Sequence, residues 1–265
     1  MLLNSVVIVL REVLEAALLM SVLLAATRFL QMGKRWVFFA LVLGVAGAVL
    51  YGYLFGPISE LFSGVGQEVG NAGLQLCILL LIVVNVFQIS RRMQDTRGSS
   101  TRLALLMTLI VVLAIVREGS EVFVYISGFW GVTEFVSAVA VGSVIGTCIG
   151  FSVGVLVYYL LLAQPIRHAP VTSVVVLAMI GAGMASQAVR LLSQADWIST
   201  SGALWDTSHL LAEQSLLGQL AYALVGYEAS PSGLEVAVHL GSFLLVGTAY
   251  VAGKLIKVAD EDALG

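Results

Sequence analysis

Seven stretches of the sequence are mostly apolar over about 20 residues or more, the length that an α-helix needs to cross the hydrocarbon core of a bilayer. Hydrophobic residues make up 59% of the chain and charged residues 11%, whereas a soluble domain averages about 45–50% and about 25%. This composition excludes an ordinary soluble domain and a disordered chain. We therefore expect an all-α polytopic membrane protein with seven transmembrane helices. The stretches cover residues 2–26, 36–55, 69–89, 103–126, 135–162, 171–192 and 234–253.

The charge balance and the cysteines exclude further classes of function. The chain holds 13 Lys and Arg against 16 Asp and Glu, so we expect no binding of nucleic acid. Cys77 and Cys148 lie far apart in separate apolar stretches and form no Cys-x-x-Cys pair. We expect neither thiol to serve redox chemistry or metal binding.

The distribution of Lys and Arg predicts the orientation of the helices, because cytoplasmic loops of membrane proteins are enriched in these residues. Ten of the 13 basic residues fall in connections on one side of the predicted membrane, and the connections on the other side hold none. We therefore expect the N-terminus outside and the C-terminus in the cytoplasm. The basic side comprises residues 28–35, 91–102, 163–170 and 254–265, and the other side comprises residues 56–68, 127–134 and 193–233.

An Arg-Glu-x-x-Glu motif occurs in the first predicted helix, at residues 11–15, and again in the fourth, at residues 117–121. The two copies are 106 residues apart, and the same offset places three small residues of the second helix on three glycines of the fifth. Small residues at this spacing let helix backbones approach closely. The matched residues are Ala40, Gly44 and Ala48 with Gly146, Gly150 and Gly154.

The first and fourth helices are predicted to run in opposite directions, a plan typical of transporters whose site lies between inverted repeats. We expect a single membrane transporter domain of two inverted three-helix repeats and one C-terminal helix. Chance recurrence of small residues is the alternative interpretation. The predicted parts are a first repeat at 1–100, a second at 103–192, an extracytoplasmic loop at 193–233, the seventh helix at 234–253 and a cytoplasmic tail at 254–265.

The two motifs place six charged side chains inside apolar helices, where each costs about 2.5–3.5 kcal/mol at the helix centre. Residues three or four apart share a face of a helix, so Glu12 and Glu15 share a face and Arg11 reaches Glu15. The second copy has the same spacing. We expect the first and fourth helices to face each other near the membrane centre. The six residues are Arg11, Glu12, Glu15, Arg117, Glu118 and Glu121.

Four carboxylates and two guanidiniums carry a formal charge of about −2, which suits a cation site. Carboxylate oxygens are hard ligands for cations such as iron and manganese, and the charge does not distinguish a divalent from a trivalent ion. The alternative is a pair of salt bridges, one within each motif, that only holds the helices together. That alternative leaves the second carboxylate on each helix without a role.

The paired motif on the first and fourth of seven helices resembles that of the high-affinity, oxidase-dependent iron permeases, and the resemblance covers essentially the whole chain. The outer loop is similar to that of bacterial members at residues 204–209, 215–218, 225–227 and 231–233. The family's common motif is Arg-Glu-Gly-Leu-Glu. Val13 replaces the glycine in the first copy and Ser120 replaces the leucine in the second. Both are spacer positions, so the ligand set is intact while the metal preference stays open.

The resemblance implies inward iron transport across the cytoplasmic (inner) membrane, with iron as the substrate and no cofactor. It implies that Arg11 and Arg117 balance the charge of the metal relay, and that an extracytoplasmic iron-binding or iron-oxidising protein is a partner. Asp206, His209 and Glu235 are candidates for an access path, with a helix-start acid as the alternative for Glu235. The implied relay consists of Glu12, Glu15, Glu118 and Glu121.

Other functions compete with iron transport. A proton-coupled or channel-like transporter of another divalent cation, such as manganese or lead, would also need buried carboxylates. A non-transporting membrane subunit is less favoured because the sequence shows no soluble domain large enough to signal. An enzyme is disfavoured because neither Glu-x-x-His nor His-Glu-x-x-His occurs. The sequence leaves open the oxidation state of iron, the driving force, the gating mechanism, and whether the glycine faces pack within one chain or in an oligomer.

Polar side chains elsewhere in the apolar stretches carry a weaker signal. Arg190 lies near the outer end of the sixth predicted helix, where we expect its long side chain to reach the membrane surface. We expect Asn85, Gln88 and Gln187 to form hydrogen bonds between helices.

Overall fold

The computed structural model of the chain describes residues 1–93, 100–165 and 168–262. This part contains nine α-helices and one 3-10 turn, and no strand beyond an isolated bridge between Ala203 and Ser232. Two of the basic residues used to predict the orientation, Arg97 and Arg167, lie outside the described residues. The helices are α1 (Leu2–Phe29), α2 (Arg35–Tyr53), α3 (Phe55–Ser59), α4 (Gly66–Arg92), α5 (Ser100–Ser127), α6 (Thr133–Leu162), α7 (Ala169–Gln194), α8 (Leu216–Val225) and α9 (Gly233–Asp262), with the turn at Leu61–Ser63.

Six of the described helices, α2, α4, α5, α6, α7 and α9, are long and apolar enough to cross a membrane. The all-helical membrane architecture is thereby confirmed. The remaining long helix, α1, has 28 residues but carries Arg11, Glu12, Glu15 and Arg28, so its composition differs from that of the six. That α1 crosses the membrane stays a prediction, as do the inverted repeats and the orientation of the termini.

The predicted helix ends agree with the observed ones to within three residues, except at the end of α9, which is predicted at residue 253 but extends to Asp262, so that most of the predicted tail is helical. The second helix is predicted to reach residue 55, but α2 ends at Tyr53 and the short α3 begins at Phe55. Pro57 accounts for the break, because proline has no N–H to donate to the carbonyl of Tyr53, four residues earlier. The chain then passes through the 3-10 turn into α4.

Glycines let two pairs of helices pack with their backbones close together. The α6 glycines that face α1 are Gly142, Gly146, Gly150 and Gly154. A methyl group added to Gly146 would lie 2.6 Å from the carbonyl oxygen of Val6 and 2.9 Å from the amide nitrogen of Leu10. In the pair of α2 and α5, a methyl group at Gly44 would lie 2.8 Å from Cβ of Ile115. The two glycine faces therefore pack within one chain.

The helix that carries the first motif lies at the centre of the bundle. Leu14, Leu18 and Leu23 of α1 are fully buried, together with Ile78 of α4 and Leu177 of α7. By contrast, α2 and α6 expose most of their apolar side chains, as expected for surfaces that face lipid. Glu12 and Glu15 of α1 are therefore buried among protein neighbours.

Buried amides contribute to the packing of α4. Gln75 Nε2 donates a hydrogen bond to Gln187 Oε1 of α7 at 2.5 Å, which confirms the interhelical bond predicted for Gln187. The same expectation is wrong for Asn85, because its fully buried amide has no hydrogen-bond partner among the described residues. Cys77 and Cys148 are free thiols at the exposed surface.

The connection between α7 and α9 folds back on itself and packs against the bundle. The amide of Leu204 donates to the carbonyl of Pro231 at 2.9 Å, and the amide of Thr207 donates to that of Ala229 at 2.8 Å. Within this loop, Ser215 caps α8 by accepting a hydrogen bond from the amide of Gly218. The helix α8 contacts both α1 and α7, so the loop reaches the helix of the first motif.

Replacing Gly146 with alanine should destabilise the membrane domain. The added methyl would overlap the backbone of α1, and overpacking of a core typically costs about 1–3 kcal/mol. Gly241→Ala in α9 is the matched control, because nothing lies within 4 Å of its added methyl. Thermal unfolding in detergent, followed by tryptophan fluorescence, should give a lower midpoint for Gly146→Ala only. Equal midpoints would contradict the close packing of α1 and α6.

Candidate functional site

The crossing of α1 and α5 brings the two copies of the motif together. Glu12 and Glu15 of α1 and Arg117 and Glu118 of α5 are all buried. Arg11 and Glu121, the outermost members of each copy, are partly exposed. The structure therefore buries three of the four predicted carboxylates together with one arginine, which pairs with two of them.

Arg117 is the centre of this cluster. Its Nη1 atom donates to Oε2 of Glu15 at 3.2 Å and also to Oε1 of Glu118. The pairing expected within the second motif, from Arg117 to Glu121, is wrong, because the guanidinium turns toward α1 instead. One of its two ion pairs consequently joins two helices, and the arginine side chain, which is 6% exposed, balances two buried carboxylates.

Arg11 has a different environment from Arg117, although the two residues hold the same place in their motifs. Its Nε atom lies 3.8 Å from Oε1 of Glu15, as the spacing predicts, and the side chain is 41% exposed. The guanidinium lies over the ring of Tyr222 in α8, 4.3 Å from the ring centroid, at cation–π distance. The contact of Tyr222 with Arg11 was not predicted from the sequence, because no local pattern connects the outer loop with α1.

Glu121 accepts a hydrogen bond at the end of a short chain that begins in α2. Asn71 Nδ2 of α4 donates to Glu121 Oε1 at 3.0 Å, and the hydroxyl of Tyr51 in α2 donates to Asn71 Oδ1 at 3.3 Å. Neither partner was predicted from the sequence. Asn71 is a polar amide within an apolar stretch, a feature that indicates a buried hydrogen bond in a membrane helix.

A cavity of about 190 Å³, here named the carboxylate cavity, lies between α1, α2, α5 and α6. Glu12 and Glu118 are its only acidic lining residues, and the rest of its wall is nearly all apolar. Glu12 Oε2 and Glu118 Oε2 are buried without a hydrogen-bond partner in the described part of the chain. Unpaired carboxylate oxygens in an apolar cavity are costly, and a cation entering the cavity would relieve that cost.

The described residues contain no group of three or more His, Cys, Asp or Glu side chains arranged to hold a metal ion. Arg117 pairs with both Glu15 and Glu118, and Asn71 donates a hydrogen bond to Glu121. The arrangement is thus that of carboxylates whose counterion is an arginine.

A second cavity of about 320 Å³, here named the loop cavity, lies beside the connection between α7 and α9. Among the residues predicted for an access path, Glu235 lines this cavity. Glu235 also accepts a hydrogen bond from the amide of Ser232 at 2.5 Å, and its own amide donates to Ser232 Oγ. This reciprocal pair is a capping box, so the helix-start role is confirmed. Asp206 and His209 are exposed, and hydrogen bonds from Ser208 lower the pKa of Asp206.

Arg190 forms ion pairs next to the loop cavity. Its Nη2 atom lies 2.6 Å from Oε2 of Glu228, and its Nε atom lies 3.5 Å from Oε1 of Glu235. Two acidic residues of the loop region thus hold this side chain, which is 33% exposed, and its reach to the membrane surface stays a prediction. Burial raises the pKa of Glu228, and Arg190 opposes that rise.

Replacing Arg117 should cost far more stability than replacing Arg11. Arg117→Met leaves the buried carboxylates Glu15 and Glu118 without their counterion, a change that typically costs about 3–5 kcal/mol. Arg11→Met removes a half-exposed guanidinium from the same motif position. Yield and thermal midpoint in detergent should fall strongly for Arg117→Met and little for Arg11→Met. Similar losses for both variants would contradict the central role of Arg117.

Two relatives align with nearly the whole chain. The ferrous iron permease EfeU of Escherichia coli O157:H7 is 28% identical over 253 residues, which cover 87% of this chain and 88% of the relative. The protein of the same name from Yersinia pestis is 28% identical over 259 residues, which cover 88% and 87%. No solved structure is a significant match. The model of the iron permease FTR1 family matches residues 2–259. With six helices able to span a bilayer, the chain is a multi-pass protein of the cytoplasmic membrane and belongs to the iron permease FTR1 family.

Proposed function

We propose that the protein moves iron ions inward across the cytoplasmic membrane by way of the paired Arg-Glu-x-x-Glu motifs. The observation that carries the proposal is the carboxylate cavity, where Glu12 and Glu118 present buried oxygens without hydrogen-bond partners among the described residues. The names of the relatives supply the identity of the ion, since EfeU is a ferrous iron permease. The metal relay in this proposal consists of Glu12, Glu15, Glu118 and Glu121.

Carboxylates suit this task because they are hard oxygen ligands for iron and because their burial makes a counterion necessary. Without an ion, Arg117 supplies that counterion to Glu15 and Glu118. An arriving cation competes with the guanidinium for the same oxygens. The ligand set then assembles as Arg117 moves aside and Glu121 leaves Asn71, and the return of Arg117 releases the ion.

Helix packing supports the proposed inverted repeats. With an offset of 106 residues, α1, α2 and α4 correspond to α5, α6 and α7. The extensive contact of α1 with α6 then corresponds to that of α5 with α2, and the contact of α1 with α7 corresponds to that of α5 with α4. Two further contacts, α1 with α5 and α4 with α7, join corresponding helices. This pattern is expected for a pseudo-two-fold axis near the site, with α1 as a seventh span.

A transporter of another divalent cation is the second candidate, because the same carboxylates could bind manganese or lead, or relay protons. Substitution at Val13 and Ser120 relative to the common family motif leaves the metal preference open. An extracytoplasmic iron-binding or iron-oxidising protein remains a proposed partner. Comparison of several metals in one assay separates these candidates.

Glu15→Gln and Glu121→Gln should each lower iron uptake by roughly tenfold or more, because each removes a proposed ligand. Uptake of Fe(II), Fe(III), Mn(II) and Pb(II) would be measured in liposomes that contain the purified protein. Glu60→Gln is the control, since Glu60 is exposed and lies outside the site. Wild-type uptake by both site variants would refute the relay, and preferential uptake of manganese or lead would favour the second candidate.

The proposed orientation predicts that the loop at 193–233 faces the outside. In a Cys77→Ala/Cys148→Ala background, the exposed Ser201→Cys should react with a membrane-impermeant maleimide on intact spheroplasts. Gly33→Cys, in an exposed connection on the opposite side, should react only after permeabilisation. The reverse pattern of labelling would show that the orientation is inverted.

A further inference from the structure

A third cavity lies between the loop cavity and the site. It has a volume of about 100 Å³ and is here named the arginine cavity, because both Arg11 and Arg190 line it. Its other lining residues, all polar and all from the loop, are Glu213, Gln214, Gln219 and Tyr222. The arginine cavity therefore joins the loop region to the outermost residue of the first motif.

Arg190 connects this cavity to the loop cavity through its ion pairs. Its side chain lines the arginine cavity, while its ion-pair partners Glu228 and Glu235 line the loop cavity. At the other end, Arg11 lines the arginine cavity and pairs with Glu15 of the buried cluster. A path that followed these ion pairs from the loop cavity toward the buried carboxylates would pass Arg190 first and Arg11 second.

The arginine cavity also contains a polar atom with no partner in the described part of the chain. Gln219 is 6% exposed, and its Oε1 atom is buried without a hydrogen bond there. A carbonyl oxygen in that state can accept a hydrogen bond from water or coordinate a cation.

The fixed charge of Arg190 distinguishes ions by their valence. A monovalent cation that replaced the guanidinium at Glu228 and Glu235 would bring the same charge and fewer directed hydrogen bonds. A divalent cation would double the Coulomb attraction to both carboxylates. Alkali ions therefore gain nothing by displacing Arg190, whereas divalent and trivalent ions do.

We propose that Arg190 is a specificity-determining residue, a positive barrier between the loop cavity and the arginine cavity that multivalent cations displace and alkali ions do not. The inference rests on the proposed function, because it places Arg190 on the route of the transported ion. It goes beyond the paired motifs by assigning selection to a residue outside them. Arg11, which lies over Tyr222, forms the next positive charge along the same route.

The first test measures access to the arginine cavity. The full chain carries Cys77→Ala, Cys148→Ala and the reporter Gln219→Cys, and a cationic methanethiosulfonate is added from the loop side. Arg190→Gln should raise the rate of modification by about tenfold or more, the usual scale of electrostatic effects on association. Arg190→Lys should stay near the original rate, and so should the control Arg28→Gln, which removes an exposed charge away from the cavities. An unchanged rate in Arg190→Gln would overturn the proposal.

A double variant provides the same test if Arg190→Gln alone does not fold. Arg190→Gln leaves Glu228 and Glu235 without their counterion, which destabilises buried carboxylates. Arg190→Gln/Glu228→Gln removes one charge of each sign and should show the same faster modification. A rate equal to that of the unmutated chain would again overturn the proposal.

The second test measures selection during transport. Excess K⁺ should leave iron uptake unchanged in the unmutated chain and reduce it severalfold in Arg190→Gln, with choline at equal ionic strength as the control. The same response to K⁺ in both proteins would overturn the assigned specificity. Because the modification rate requires no transport, an absence of iron uptake in the unmutated chain would refute the proposed function separately.

Discussion

The guanidinium of Arg117, held between Glu15 and Glu118, is the interaction on which the membrane domain depends. None of these three charges is tolerated alone in a low-dielectric interior, so α1 and α5 must cross where their motifs meet. The glycine face of α6 and the small residues of α2 then allow each motif helix to have a second close neighbour. A single buried charge cluster thereby fixes the centre of the bundle, and the apolar packing surrounds it.

Identical motifs do not produce identical halves of the site. Arg117 bridges two helices and is nearly inaccessible, while Arg11 stays half-exposed and lies over Tyr222. Glu121 pairs with Asn71, and its counterpart Glu15 pairs with Arg117. The second motif is thus enclosed by its own charges, while the first is partly exposed beside the loop.

The sequence predicted the helices well because their main determinant, an apolar stretch long enough to cross a bilayer, is local. It also predicted burial of Glu12 and Glu118, since spacing places them on faces shared with other charged residues. It could not predict which carboxylates Arg117 would form ion pairs with, because this pairing depends on how α1 and α5 cross. The pairing of Arg190 with Glu228 was hidden for the same reason: the two residues meet only after the loop has folded back onto α7.

The contact between Tyr222 and Arg11 links the evolution of the loop to that of the membrane domain. Because α8 contributes an aromatic ring to the environment of a motif arginine, the loop is part of the site's electrostatics and not only a cover over it. Replacement of this loop by one without an aromatic residue at the position of Tyr222 would therefore change the charge environment of the first motif, even if every residue of the other helices were retained.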